Sequence, residues 1–193
     1  GIVSAAQLAG QSIGISANTI IEYATDSLLV RAGLAPDSIR GLAVPKIPVR
    51  MELLLAGQLK AACLPEPLLT AARVRGATLI AASDDAGLRA GVILFSKAFL
   101  DARGPDVAAF FRAYWKAAQA INADNEAYRA FLVDKAGFPE ETRRAYSFVR
   151  YARPRLPSEG DVAEVLAWMR GKGMLTAALE PASLLDGRAL VGW

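Results

Sequence analysis

Short apolar runs alternate with stretches of helical periodicity over roughly the first eighty residues. Residues 11–16 (QSIGIS) form such a run after Gly10, and Ile21, Ala24, Leu28 and Ala32 then recur at spacings of three and four. That pattern predicts a strand leading into an amphipathic helix. Asn18 is placed to cap the helix, and Gly33, with Pro36 beyond it, to end it. A second strand is expected over 39–44, stopped by Pro45, then a helix over 49–56 and a third strand over 59–64. A helix over 68–75, ended by Gly76, and a fourth strand over 77–81 follow. Strands alternating with single helices across short connections point to a parallel sheet with helices on its faces. Residues 11–82 therefore read as one complete α/β lobe.

The pattern changes after that. Residues 83–96 read as a hinge, polar and glycine-bearing over 84–90, followed by one crossing strand over 91–96 (GVILFS). Residues 97–193 read as helical. Val107, Phe110, Phe111, Tyr114, Trp115, Ala118 and Ile121 make a wide apolar stripe behind Pro105, a residue suited to a first helical turn. A helix is expected over 125–136, stopped by Gly137, and another opened by Pro139 and running to about residue 148. Pro154 and Pro157 make 151–157 a loop, after which Ser158 and Asp161 form a capping box for the last helix. These helices carry large apolar faces, and the sequence offers them a single strand as cover. An apolar surface of that kind rarely stays exposed on a monomer. The expectation is a fragment whose second, incomplete lobe is finished by another chain or by a missing N-terminal segment.

Composition narrows the function. Hydrophobic residues make up 53% and charged residues 21% of the 193, which describes a packed globule. A net charge of +3 is too slight to imply nucleic acid or acidic lipid as a partner. The basic, aromatic-interleaved stretch from Arg143 to Arg155 reads as a solvated helix end and loop, and the pairs Asp84-Asp85 and Glu140-Glu141 as solvated acids. There is no histidine, so catalytic triads, Cys-His pairs and His-based zinc motifs are excluded. The lone Cys63 reads as a small core hydrophobe. Gly10 and Gly14 fit neither a P-loop nor a dinucleotide fingerprint. No enzyme, cofactor or metal is expected, and no apolar run reaches the length of a membrane span.

Two places remain as candidate binding chemistry. The turn Ser16-Ala17-Asn18-Thr19 joins a strand to a helix and would offer backbone N–H groups, hydroxyls and an amide to an anion. Glu66, held between Pro65 and Pro67 at the end of the third strand, is stiffly placed on the same sheet edge. Ligands of open α/β sheets sit outside the carboxyl ends of the strands. A helix N-terminus together with a carboxylate favours a zwitterion or a nitrogen-rich neutral molecule, and disfavours a simple inorganic anion.

The opening VSAAQLAGQSIGIS, the helix ending LLVRAGL, the run LLLAGQLKAACLPEP, the passage GVILFSKAFL and the late VLAWMRGKGML together resemble the type II periplasmic solute-binding proteins. The closest branch serves importers of nitrate, sulfonates, taurine and thiamine-pyrimidine precursors. Aliphatic-Ala-Gly-Gln, followed by small residues and then Glu-Pro, is the most specific part. The resemblance implies a type II periplasmic-binding-protein-like α/β fold of two lobes joined by crossing strands, a ligand held between them, and hinge closure. It also implies delivery of the solute to the membrane permease of an ABC importer, in the periplasm or another extracytoplasmic space. By position it assigns ligand binding to Ser16, Asn18 and Thr19, to Glu66, and to Lys46 in the loop after the second strand. Lys60-Ala61 stands where the family usually has Asp-Ala, and a first segment of about a hundred residues, domain-sized, has no counterpart here. The alternative reading is the effector-binding domain of a transcription regulator built on the same fold.

Overall fold

A computed structural model of the chain describes residues 1–88 and 91–190. It divides into two compact units, Gly1–Gly91 with Leu132–Tyr146, and Val92–Phe131 with the residues from Ser147 onward.

The first unit is built on a three-stranded parallel sheet, β1 (Ser12–Ile15), β2 (Arg40–Ala43) and β3 (Ala61–Ala62), in the order β2-β1-β3. Ile13 lies opposite Gly41 on one side and Ala61 on the other. Helices α1 (Ile20–Arg31), α2 (Ile47–Leu55) and α3 (Leu68–Val74) connect and follow the strands. The period-two alternation of a strand divides the core into two layers. Ile13 and Ile15 point with Ala61 and Cys63 into a cluster completed by Leu8, Leu29 and Leu34. Ala62 and Leu64 join Met51, Ala71 and Ala72 in a second cluster beneath α2 and α3. The sheet is thus covered by α1 on one face and by α2 and α3 on the other, as the alternating pattern of the sequence predicts.

Several expectations are corrected. Residues 77–81 are not a strand: the Ala77 N–H closes the end of α3 on Ala72 O at 2.9 Å, and no strand pairs with the segment among the described residues. Residues 91–96 likewise form no ladder, and Leu94 is 82% exposed. A strand is a pairing state, and apolar composition alone does not supply the partner. Part of the expected hinge is anchored, since Leu88 is buried and Arg31 Nη1 donates to Ala86 O at 2.9 Å. Residues 89 and 90 of that hinge, and 191–193 of the tail, lie outside the described residues.

The helix expected behind Pro139 is instead one 3₁₀ turn, Glu140–Thr142. Thr142 is fully buried, and both its hydroxyl and its N–H bond to Pro139 O, at 2.7 and 2.9 Å. Arg143 draws Glu140 aside at 2.6 Å, while Arg75 holds Glu141 at 2.7 Å and Glu52 at 3.0 Å. Local and tertiary bonds to this segment compete with helix propagation and win.

In the second unit the described elements are helical. Helix α4 (Lys97–Ala123) starts at Ser96, whose hydroxyl accepts from the Phe99 N–H at 3.2 Å. It breaks at Arg103, two residues before Pro105, because proline removes a donor and crowds the preceding turn. Leu100, Val107 and Ala189 form the core there, with Phe95 and Phe111 against them. Helix α5 (Glu126–Asp134) follows α4 in the chain, and α6 (Glu159–Gly171) begins at the Ser158 and Asp161 capping box that the sequence predicts.

Candidate functional site

Because the three strands are parallel, their carboxyl ends share one edge. Each is followed by residues singled out from the sequence: Ser16, Asn18 and Thr19 after β1, Lys46 after β2, and Glu66 after β3. All five sit on the segments leaving this edge within the first unit. Asn18, Thr19, Lys46 and Glu66 are exposed and Ser16 is half-buried.

The turn after β1 is arranged differently from the expectation. Thr19, not Asn18, caps α1: its hydroxyl accepts from the Ile21 N–H at 3.1 Å and donates to Ser16 O at 2.7 Å. Asn18 takes a left-handed conformation, with φ at +59°, which asparagine tolerates better than most residues. Its backbone N–H donates to Glu22 Oε2 at 2.6 Å. The Asn18 and Ile21 amides are therefore held by the side chains of Glu22 and Thr19 and not left open to a ligand. A carboxylate already lies at the positive end of α1, where the helix dipole favours it.

Glu66 also has an internal role. Oε2 accepts from the Thr70 N–H at 3.1 Å and Oε1 from the Thr70 hydroxyl at 2.9 Å, so the carboxylate caps α3. Carboxylate oxygens have more than one acceptor site each, and an exposed one keeps capacity for a further donor. Lys46 stands at the N-cap position of α2. Among the described residues the side chains of Lys46 and Asn18 have no hydrogen-bond partner, and they stand as an exposed ammonium and amide at the ends of two adjacent strands.

Sequence reasoning missed the residue that ties this edge together. Arg50, in α2, is 0% exposed. Its Nε–H donates to Val44 O at 3.0 Å, its Nη1–H to Cys63 O at 2.6 Å, and its Nη2–H to the Ser16 hydroxyl. Val44, Ser16 and Cys63 are the residues that follow β2, β1 and β3, so one planar group spans the edge. None of these acceptors is a carboxylate, and burial lowers the guanidinium's pKa from its ordinary value. An arginine amid the apolar residues of the helix expected over 49–56 (VRMELLLA) is the signal that was available.

Cys63 turns its thiol the other way, toward Thr25, and burial pushes that thiol up. An open hollow of about 400 Å³, lined in part by Gln11, Gly57, Leu59 and Lys60, lies where the chain enters β1 and β3. That is the amino end of the strands, opposite the edge at which α/β sheets bind ligands. Among the described residues, no group of acids and cysteines is arranged to hold a metal ion.

No protein-family model matches the chain, and no curated protein matches it. Among solved structures it is similar to the alkanesulfonate-binding protein SsuA from Xanthomonas axonopodis pv. citri bound to MOPS. The TM-score is 0.72 at 20% identity over 95% of this chain. The chain spans 65% of the length of that protein. At this identity the likeness establishes the fold, an α/β fold like that of the solute-binding protein.

Proposed function

We propose that this chain belongs to the solute-binding receptor of an ABC importer, working outside the cytoplasm and passing its solute to a membrane permease. The likeness in fold, across 95% of the chain, to a protein that binds an alkanesulfonate carries the reading. In this reading the solute sits at the carboxyl edge of the β2-β1-β3 sheet, against Ser16, Asn18, Thr19, Lys46 and Glu66. The solute is a small zwitterionic or nitrogen-containing organic molecule. The exposed ammonium of Lys46 and carboxylate of Glu66 on one edge support a molecule that bears both a negative group and a nitrogen donor.

Calorimetric titration of the full-length gene product with taurine, MOPS, an aminopyrimidine, methanesulfonate, sulfate and nitrate tests the reading. One of the nitrogen-bearing organic compounds is expected to bind, and Glu66→Gln to weaken it. Absence of binding by any compound would count against a receptor. Tight nitrate or sulfate binding, unchanged in Glu66→Gln, would overturn the solute class while leaving the receptor standing.

A further inference from the structure

The carboxyl edge of the sheet is held by a charge that has no counter-ion among its own partners. Arg50 is fully buried, and its hydrogen bonds run to the carbonyls of Val44 and Cys63 and to the Ser16 hydroxyl. A buried charge is unfavourable unless it is hydrogen-bonded or paired, and here hydrogen bonds are present while the pairing is not. The same group fixes Ser16, which in turn holds Thr19 through the bond from the Thr19 hydroxyl to Ser16 O at 2.7 Å. Ser16 also donates to Pro45 O at 3.4 Å, next to Lys46. The turn after β1 and the loop after β2 are therefore both connected to one guanidinium. Lysine would replace the planar fork by a single point charge and could not serve the acceptors in the same way.

At the α1 N-terminus the Thr19 hydroxyl takes the Ile21 amide, and Glu22 takes the Asn18 amide just before the helix, so a carboxylate already lies at the helix's positive end. Among the described residues the charged groups on this edge are Lys46, exposed, and Arg50, beneath the surface, with the carboxylates of Glu22, held on the Asn18 amide, and Glu66, held on Thr70. We infer that Arg50 is the positioning residue of the site: it fixes Ser16 between the ends of β2 and β3. It also adds a buried positive charge to the edge that carries Lys46 and Asn18, so the anionic end of the solute seats there. This rests on the receptor reading for the existence of a solute and goes beyond it in naming which end of the solute binds and what holds the site in place.

The test uses the full-length gene product with Arg50→Met, Arg50→Lys and Ser16→Ala. Amide hydrogen exchange is measured first, without any ligand. Arg50→Met is expected to speed exchange at residues 16–21, 44–47 and 63–64 while Ile13 and Gly14 keep their protection. Ser16→Ala, which leaves the buried arginine in place, is expected to speed exchange over 16–21 alone. Uniform exchange throughout the sheet in Arg50→Met, with no change over 16–21 in Ser16→Ala, would assign Arg50 a merely structural role and overturn the inference.

Affinity for taurine and MOPS, and for the neutral sulfonamide counterpart of taurine, is then compared. Arg50→Met is expected to weaken the sulfonates by roughly ten-fold or more, through loss of the nearby buried charge and of the order it imposes on Ser16. It should change the sulfonamide little, and Arg50→Lys should restore part of the difference. Equal sulfonate affinity in wild type and Arg50→Met would overturn the inference and leave the receptor reading intact. If none of the compounds binds wild type, the receptor reading fails for them, and the exchange pattern alone decides the positioning role.

Discussion

Arg50 crosses β1 at Gly14, where an added Cβ would stand 3.0 Å from Arg50 Cγ and 3.3 Å from Arg50 Cδ. Gly14 faces α2, and its missing side chain is the space through which the arginine's stem reaches the strand ends. The same Cβ would lie 2.7 Å from Leu59 Cδ1. Gly14→Ala should therefore overpack this face and destabilise the fold by about 1–3 kcal/mol. Urea unfolding checks it, with the midpoint lowered and the slope unchanged. A glycine at the end of α6 is the control. Gly171, the last residue of α6, has nothing within 4 Å of its would-be Cβ, so Gly171→Ala should be neutral or stabilising by up to about 1 kcal/mol. Equal midpoints for Gly14→Ala and wild type would refute the packing argument.

The turn after β1 separates two neighbouring residues by mechanism. Thr19→Ala removes the cap of α1 and should lower stability by about 0.5–2 kcal/mol. At Asn18 the backbone is left-handed, so glycine should be tolerated, whereas Asn18→Val should lower stability by roughly 1–2 kcal/mol. Thermal melts of the three variants distinguish this arrangement from the simpler one in which Asn18 is the cap, since an Asn18 cap would make Asn18→Gly and Asn18→Val fall on the same side of Thr19→Ala.

The α6 N-terminus offers a comparison in the second unit. The Ser158 hydroxyl accepts from the Asp161 N–H at 3.0 Å, and Asp161 Oδ2 accepts from the Ser158 N–H at 3.0 Å. A double-mutant cycle of Ser158→Ala and Asp161→Ala should show each single change lowering stability by about 1 kcal/mol and the pair losing less than the sum. Strict additivity would mean that the reciprocal bonds do not act as a unit.

What the sequence revealed and what it hid divide along physical lines. The first three strands, their parallel direction and the caps at Gly33, Gly76 and Ser158 were legible, because periodicity and cap chemistry are local. The strands expected over 77–81 and 91–96 failed because a ladder needs a neighbour that no local pattern reveals. The candidate residues Ser16, Asn18, Thr19, Lys46 and Glu66 lie on one edge since parallel topology places all strand ends together. Their internal hydrogen bonds were not legible: that Glu22 reaches the Asn18 amide and Thr70 both oxygens of Glu66 depends on side-chain direction. Arg50 was hidden for a further reason. A single arginine in an apolar helix looks like a solvated edge until the glycine beneath it is seen to make room.

Cys63 supplies a pH-dependent prediction whose sign follows from its surroundings. Burial raises its thiol pKa, outweighing the opposing hydrogen bond with Thr25 and the charge of Arg50. In the unfolded chain the thiol ionises near the ordinary value of about 8.5. Below that pH both states hold the proton and Cys63 imposes no slope. Above it the unfolded chain has released a proton that the folded chain retains, so stability falls as pH rises until the folded thiol also ionises. The slope approaches about 1.4 kcal/mol per pH unit for one proton. Cys63→Ala lacks this contribution. Urea unfolding of both proteins at pH of about 7.5 and 9.5 should therefore show wild type losing more stability than the variant over that interval, with the buried thiol's ionisation as the cause. Parallel losses in the two proteins would mean that the Cys63 thiol ionises in the fold as readily as in the open chain.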